Sequence, residues 1–251
     1  MKLGEHDRLY LIADTTLACW PLRQAVAEAV RSGARLVQLR EKQLSDHDYL
    51  ALARDIRAIT AAYGARLLIN SRLRIAAAID ADGVHLPRDA SIGDARRAMG
   101  PGALIGVSAH SAEELRRAEA EGADFVTLSP VFPTASKPWE IEVLGLDRFA
   151  SLAETTMLPV FALGGVQREN ARDCLKAGAY GIAVISSIMG APDVGEATKS
   201  YLQVPGGPKV NPPYQTSGQV NLFPSLPPPR PRSTADSPNA NAAASCYLRL
   251  R

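Results

Sequence analysis

The stretch Ser32-Gly-Ala-Arg-Leu-Val-Gln-Leu-Arg-Glu-Lys42 contains the local pattern that decides the fold. Its glycine favours the left-handed conformation that ends a helix, and Leu36–Leu39 is a short apolar run typical of a buried strand. A glycine shortly before an apolar run recurs in three later segments, which are Ala81-Asp-Gly-Val-His-Leu86, Glu121-Gly-Ala-Asp-Phe-Val126 and Ala177-Gly-Ala-Tyr-Gly-Ile182. The repetition predicts a helix that stops at a glycine and returns directly into a sheet.

Eight short apolar runs alternate along the chain with longer segments whose apolar residues recur every three or four positions. The predicted strands are Leu9–Ala13, Leu36–Leu39, Leu67–Asn70, Gly83–Leu86, Leu104–Ser108, Phe125–Ser129, Val160–Leu163 and Gly181–Ile185. Strands that alternate with helices indicate an α/β fold with a parallel sheet, and a count of eight favours a closed (β/α)8 TIM barrel over an open doubly wound sheet.

The composition changes near residue 205. Hydrophobic residues make up 46% of the 251 residues and charged residues 22%, an ordinary globular balance, yet ten of the 18 prolines lie in residues 205–251. Such a segment buries too little apolar surface to offset the entropy lost on ordering. We therefore expect a barrel domain over residues 1–204 and a disordered, Pro-rich tail over residues 205–251.

Charge, hydropathy and cysteine usage exclude several classes. The net charge is only +2 and is not gathered into a stripe, so nucleic acid is not an expected partner. No apolar run approaches the length of a membrane span, and the first residues lack a signal-peptide core, which predicts a cytoplasmic protein. Cys19, Cys174 and Cys246 are far apart and lack CxxC spacing, as expected of free thiols in a reducing compartment.

In barrels of this kind, function resides at the carboxyl ends of the strands. After the second strand, Gln38, Arg40 and Lys42 share one face because side chains alternate along a strand. Two cations and an amide on one face suit a pyrophosphate, which Arg binds through two hydrogen bonds and Lys as a point charge. A structural ion pair with a carboxylate from a neighbouring strand is the alternative.

The third and fifth strands end in short polar side chains. Asn70 could orient a ligand, but capping of the next helix is the more common role of such an asparagine. Ser108 suits either a ligand contact or a cap. His110 is the best placed of the four histidines, and for a lone histidine a structural role is the more frequent one.

The last strands carry residues suited to a phosphate. Thr134 and Ser136 beside Lys137 predict a flexible, anion-binding lid after the sixth strand. Gly164-Gly165 follows the seventh strand, and Ser186 follows Ile185 at the end of the eighth. Barrels commonly bind phosphate at these two loops and a nearby helix N-terminus, so we expect a monophosphate site here.

Taken together, these segments resemble the thiamine phosphate synthase/TenI family over the whole barrel, leaving only the tail uncovered. The matching segments are Leu9-Tyr-Leu-Ile-Ala-Asp14, Val37-Gln-Leu-Arg-Glu-Lys42, Leu68-Ile-Asn-Ser-Arg72, Ala81-Asp-Gly-Val-His-Leu86, Ile105-Gly-Val-Ser-Ala-His110, Pro130-Val-Phe-Pro-Thr-Ala-Ser-Lys137, Ala162-Leu-Gly-Gly-Val166 and Ala183-Val-Ile-Ser-Ser187. The resemblance implies a thiamine biosynthesis enzyme. The implied enzyme would be a transferase that joins hydroxymethylpyrimidine diphosphate to thiazole phosphate and releases pyrophosphate, through a pyrimidine carbocation captured by the thiazole nitrogen.

The resemblance also implies roles for individual residues. The pyrimidine diphosphate would contact Gln38, Arg40, Lys42 and Asn70, and the thiazole phosphate would contact Thr134, Ser136, Gly165, Ile185 and Ser186. Ser108 would contact the reacting pyrimidine and Lys137 the pyrophosphate, so Lys137, Ser108 and Arg40 are the expected catalytic residues. Both phosphorylated compounds are the expected partners, and a homo-oligomer is compatible with the sequence.

The expected Mg²⁺ site departs from the family pattern. Ser71 stands where the synthases have a metal-binding aspartate, and Pro87-Arg88-Asp89 replaces the segment that carries a second one. Asp89 is the remaining candidate metal ligand, with capping of a helix near Ser91 as its alternative. The departure admits two other functions: a TenI-like thiazole tautomerase acting on thiazole carboxylate phosphate, although the histidine of that branch corresponds here to Pro130, and a non-catalytic thiazole-phosphate binding protein.

Overall fold

The structure is a computed structural model that describes residues 3–134, 142–204 and 206. Its strands are β1 (Leu9–Ala13), β2 (Leu36–Leu39), β3 (Arg66–Asn70), β4 (Gly83–Leu86), β5 (Leu104–Ala109), β6 (Phe125–Leu128), β7 (Val160–Leu163) and β8 (Gly181–Val184). Each predicted strand is present, and no boundary differs from the prediction by more than one residue.

Helices follow the strands in the alternation that the sequence predicts. In the described part of the chain they are α1 (Leu22–Arg31), α2 (Asp46–Ala62), α3 (Leu73–Ala78), α4 (Ile92–Met99), α5 (Ala112–Ala120), α6 (Gly145–Ala153), α7 (Ala171–Lys176), α8 (Ser186–Met189) and α9 (Val194–Leu202). One short helix, α8, comes between β8 and α9. None of the described helices combines the length and apolar character that crossing a membrane requires.

The eight strands close into a parallel barrel in sequence order, with β1 paired to both β2 and β8. This confirms the (β/α)8 fold. Because all strands run in the same direction, their carboxyl ends meet at one mouth, where the loops after β1 to β8 lie side by side.

Strand side chains alternate between two apolar layers. One set faces the helices and forms the larger core. The other fills the barrel interior, and its buried apolar members are Tyr10, Ile12, Leu36, Leu68, Leu104, Phe125, Phe161 and Ala183. Three of these rings pack edge to face or tilted, with the Tyr10, Phe125 and Phe161 centroids 5.4–5.6 Å apart. The interior is therefore a packed core that supports the mouth from below.

The glycine stops are confirmed at three of the four repeats. Gly33, Gly122 and Gly178 have φ of 116°, 85° and 93°, the left-handed conformation that ends a helix. At the fourth repeat the prediction is wrong, because Asp80 takes the positive φ, at 51°, and Gly83 is the first residue of β4. A Cβ on Gly83 would lie 2.1 Å from the Leu104 carbonyl oxygen, so this glycine permits close strand packing instead.

The predictions for the C-terminal tail and for Cys246 concern residues that the structure does not describe. Within the predicted disordered tail the exception is Gly206, whose carbonyl accepts a hydrogen bond from Arg8 over 2.8 Å. Of the other cysteines, Cys19 is exposed and Cys174 is buried.

Candidate functional site

The polar face predicted on β2 is present at the barrel mouth. Gln38 lies in the interior with 2% of its surface exposed, and its Nε2 donates to the Tyr10 hydroxyl over 2.7 Å. Arg40, two residues further along the chain, is half-buried, and Lys42 is exposed in the following loop. Within the described ranges Lys42 has no ion-pair partner, so its charge is available to a ligand.

Arg40 forms an ion pair with a carboxylate from the neighbouring strand β1, which is the alternative that the sequence also allowed. Its Nη1 contacts Oδ2 of Asp14, a nearly buried carboxylate at the end of β1. The other Asp14 oxygen, Oδ1, accepts from the backbone N–H of Thr16 over 3.0 Å, which holds the carboxylate in place. A guanidinium has five N–H donors, so this pair orients Arg40 and leaves donors for an anion.

A second set of contacts fixes the loop that carries Lys42. Arg72, after β3, donates to the Leu44 carbonyl over 2.6 Å and pairs with Asp46 over 2.6 Å. Its guanidinium also lies 4.3 Å from the ring centroid of Tyr49, whose hydroxyl donates to the Leu39 carbonyl. No local sequence pattern marks this set of contacts, because its members are far apart in the chain.

Asn70, the last residue of β3, does not have the helix-capping role that the sequence favoured. Helix α3 begins at Leu73 without a side-chain cap, so that interpretation is wrong. Instead, Nδ2 of Asn70 donates to Oγ of Ser71 over 3.2 Å, and both residues lie beside the mouth. Ser71 has φ of 61°, a left-handed conformation that aspartate and asparagine also tolerate.

The candidate metal ligand Asp89 is exposed in the loop after β4. It does not cap α4, because Oγ of Ser91 accepts from the Asp94 backbone N–H over 3.2 Å and performs that role. Among the residues with described positions, no group of three or more His, Cys, Asp or Glu side chains could hold a metal ion.

A buried histidine that sequence reasoning passed over lies directly beneath the mouth. His85 is 4% exposed; its Nδ1 lies 3.2 Å from the Tyr10 hydroxyl, and its Nε2 lies 3.1 Å from Oγ of Ser108 and 3.4 Å from Oγ1 of Thr127. Burial lowers the pKa of His85 to about 3, so the ring is neutral at physiological pH. The alternation along β4 could have revealed it, since Val84 and Leu86 face the helices.

His110, the histidine that the sequence analysis singled out, has a structural environment. Its Nδ1 lies 2.5 Å from the Ser129 carbonyl oxygen, and its backbone N–H donates to Glu114 over 2.6 Å. These contacts join the loop after β5 to the end of β6. The structural role favoured for His110 agrees with them.

The loop after β6 is anchored at both ends. Val131 and Phe132 donate to the carbonyls of Leu163 and Gly164 over 3.0 Å each, and Gly145 donates back to the Val131 carbonyl over 3.0 Å. Thr134 is half-buried near the mouth. Ser136 and Lys137, the other predicted lid residues, lie outside the described residues, so their placement stays a prediction.

Backbone geometry shapes the ends of β7 and β8. Gly164 and Gly165 have φ of 95° and 64°, and a Cβ on Gly165 would lie 2.5 Å from the Pro133 carbonyl oxygen. After the neighbouring strand β8, Ile185 precedes α8, whose first N–H groups at Ser186 and Ser187 have no partner within the helix. Two loops of close-set backbone amides thus border one side of the mouth.

One buried tyrosine connects these two loops. The Tyr201 hydroxyl, on α9, donates to the Val166 carbonyl over 3.4 Å and is hydrogen-bonded to the Ser187 side chain. Burial raises the pKa of Tyr201 to about 12, so the hydroxyl keeps its proton. No sequence signal marks this contact, because α9 appears only as an amphipathic helix.

Fold and site together define a (β/α)8 barrel with cationic side chains on one side of its mouth and glycine and serine loops on the other. A family model described as "Thiamine monophosphate synthase" matches residues 9–188, and the chain belongs to this family. The TenI-related resemblance inferred from the segments is confirmed.

Individual relatives agree with the family match. The chain is 41% identical to thiamine-phosphate synthase of Clostridium novyi over 78% of its own length and 98% of that protein. Identity to thiamine-phosphate synthase of Pyrococcus furiosus is 38%, over 81% and 97%. A solved structure of thiamine phosphate pyrophosphorylase from Pyrococcus furiosus superposes with a TM-score of 0.72 at 36% identity, covering 80% of this chain and 96% of that one.

Proposed function

We propose that this chain is a thiamine phosphate synthase, a transferase that joins hydroxymethylpyrimidine diphosphate to thiazole phosphate. The observation that carries the proposal is the pairing of two anion-suited borders on one mouth. Arg40 and Lys42 supply full charges after β2, and Gly165 and Ser186 supply backbone amides after β7 and β8. A reaction between a diphosphate and a monophosphate needs two such borders.

In the proposed reaction, the cationic side of the mouth stabilises the departing pyrophosphate. The C–O bond between the pyrimidine methylene and the diphosphate breaks, the electron pair leaves with pyrophosphate, and the thiazole nitrogen lone pair forms the new C–N bond. Arg40, held by Asp14, and Lys42 stabilise the negative charge that grows on the departing group. Lys137 joins them in this proposal, and Ser108 orients the pyrimidine ring.

On the other border, the thiazole phosphate would be held by Gly165, Ile185, Ser186, Thr134 and Ser136. Backbone amides approach a phosphate closely where glycine is present. The phosphate anchors the thiazole so that its nitrogen faces the pyrimidine methylene. Holding both reactants in this geometry lowers the entropic barrier.

Mg²⁺ enters the proposal only as a complex with the diphosphate. This ion usually takes one or two carboxylates, with phosphate oxygens and water completing its shell, and Asp89, exposed in the loop after β4, is the carboxylate that we propose for this role. When bound, the ion would neutralise charge on the diphosphate. We expect weaker metal dependence than in a synthase with both aspartates, and a cytoplasmic location, where both phosphorylated substrates are retained.

The assay uses the full chain with both substrates and Mg²⁺, and measures thiamine phosphate by chromatography. Reactions that lack either substrate are the controls. Product that requires both substrates supports the proposal. Folded protein at high concentration that yields none would exclude it.

The exposed Asp89 and the serine at position 71 favour one second candidate, a TenI-like tautomerase, which needs no metal. NMR of thiazole carboxylate phosphate tests this candidate, since a tautomerase accelerates interconversion of the tautomers. A non-catalytic binder would bind thiazole phosphate but turn over neither substrate.

Ser71→Asp separates the first two functions. The left-handed backbone at residue 71 tolerates aspartate, and the new carboxylate faces the same mouth. For a synthase we expect tighter Mg²⁺ activation and a severalfold higher rate at limiting Mg²⁺. Ser151→Asp, on the exposed surface of α6 and outside the loops at the mouth, is the charge-matched control. Equal Mg²⁺ profiles in both variants would contradict the account of the metal ligands.

A further inference from the structure

A chain of hydrogen bonds crosses the barrel interior beneath the candidate site. It begins at Gln38, whose Nε2 donates to the Tyr10 hydroxyl over 2.7 Å, and passes to Nδ1 of His85 over 3.2 Å. From Nε2 of His85 it reaches Oγ of Ser108 over 3.1 Å. Tyr10, Gln38 and His85 are all less than 5% exposed, so water does not compete for these contacts.

The order of donors fixes the direction of the chain. A tyrosine hydroxyl has one proton, and because Tyr10 accepts from Gln38, that proton is directed to Nδ1 of His85. A neutral imidazole carries one N–H, which is then on Nε2 and points at Ser108. In this arrangement Oγ of Ser108 accepts from Nε2, so its own proton can be donated to a group at the mouth.

Neighbouring side chains and the backbone of β5 confine the His85 ring. Phe125 lies 5.8 Å from the His85 ring centroid and Tyr10 lies 5.7 Å from it. A Cβ on Gly106 would lie 2.7 Å from Nδ1 of His85 and 2.3 Å from the Phe125 ring. The ring therefore occupies space that only a glycine on β5 leaves free.

We propose that His85, held as its Nε2–H tautomer by Tyr10, is a positioning residue that fixes the Ser108 hydroxyl as a hydrogen-bond donor to the substrate. The identity of the acceptor, a ring nitrogen of the pyrimidine, rests on the proposed function. The tautomer and the direction of the chain do not. A donor of fixed direction keeps the pyrimidine methylene aligned for attack.

The tautomer is tested by ¹⁵N NMR of protein labelled at histidine, without substrate. The His85→Gln variant identifies the His85 signals among the four histidines. We expect the Nε2–H form with no protonation between about pH 7 and pH 5, and loss of that preference in Tyr10→Phe. An Nδ1–H form or an imidazolium in the native protein would overturn the proposal.

Kinetics test the consequence for the substrate. Tyr10→Phe keeps the ring packing and removes the hydroxyl, and we expect KM for the pyrimidine diphosphate to rise about fivefold to tenfold while KM for thiazole phosphate stays unchanged. Thr127→Val is the matched control, because it removes only the longer 3.4 Å contact to His85. Equal effects of the two variants would contradict the proposed direction.

A double-mutant cycle shows whether Tyr10 acts through Ser108. If it does, Tyr10→Phe has no further effect once Ser108→Ala is present; independent, additive effects would refute the chain. The proposed function fails separately, when the native protein makes no thiamine phosphate. In that case the NMR result still decides the tautomer.

Discussion

The two sides of the barrel mouth are built from different kinds of groups. The β7–β8 side, defined by Gly164, Gly165, Ile185 and Ser186, presents backbone amides held by tight packing. The β2–β4 side, defined by Gln38, Arg40, Lys42, Asn70 and Asp89, presents side chains, and two of them, Gln38 and Arg40, are positioned by Tyr10 and Asp14 at β1. A backbone site follows from fold and glycine placement, whereas a side-chain site depends on its neighbours as well.

This difference predicts that the β7–β8 side tolerates the least change. In Gly165→Ala the new Cβ would lie 2.5 Å from the Pro133 carbonyl oxygen and 2.7 Å from Cβ of Phe132. Because the loop must shift, we expect thiazole phosphate affinity to fall by roughly 100-fold, as measured by calorimetry. Affinity for the pyrimidine diphosphate should change far less.

Gly100→Ala is the control for backbone strain. Its φ is 81°, yet no atom lies within 4 Å of a new Cβ. We expect it to lose about 1–2 kcal/mol of stability from the left-handed backbone alone and to bind both substrates normally. If Gly165→Ala also bound thiazole phosphate normally, the β7–β8 side would not be the phosphate site.

The buried His85, beneath both sides of the mouth, should make the stability of the fold depend on pH. Unfolded His85 takes up a proton below about pH 6.5, but the folded protein resists protonation until about pH 3. The unfolded state therefore binds more protons in this window, and folding stability falls as the pH falls, by up to about 1.4 kcal/mol per pH unit. Comparison of urea unfolding at pH 7 and pH 5 should show a loss of about 2 kcal/mol that His85→Gln lacks.

His47→Asn provides the surface control for that measurement, since the His47 side chain is 92% exposed. Its pH dependence should match that of the native chain. A His85→Gln protein with an unchanged pH dependence would show that His85 is not buried in its neutral form.

The difference between a site built from backbone and a site built from side chains also explains what the sequence could predict. Strand bounds, barrel closure and the Gly164-Gly165 loop follow from local patterns and from the parallel direction of all strands. The pairing of Arg40 with Asp14, the stacking of Arg72 on Tyr49 and the contacts of His85 join residues at least 23 positions apart. Which of several polar side chains meet across a barrel depends on register and rotamer, and neither follows from composition or periodicity.

On the β2–β4 side, Lys42→Met tests whether its charge serves the ligand alone. Lys42 is exposed and has no ion-pair partner within the described ranges, so stability should not change. We expect KM for the pyrimidine diphosphate to rise roughly tenfold through loss of a charge-assisted contact. Lys199→Met, on the exposed face of α9, is the matched control, and an equal rise there would mean that net charge alone is responsible.

The smallest effect should follow from the tyrosine that joins the two amide loops. Tyr201→Phe removes a 3.4 Å hydrogen bond to the Val166 carbonyl and the contact with Ser187, a loss of about 0.5–1.5 kcal/mol. If part of this energy positions the loops, KM for thiazole phosphate rises about threefold while KM for the pyrimidine diphosphate is unchanged. Tyr63→Phe, a half-buried tyrosine beyond α2, is the control. A melting temperature lowered in Tyr201→Phe with both KM values unchanged would limit Tyr201 to fold stability, because the β7–β8 loops would then keep their spacing without it.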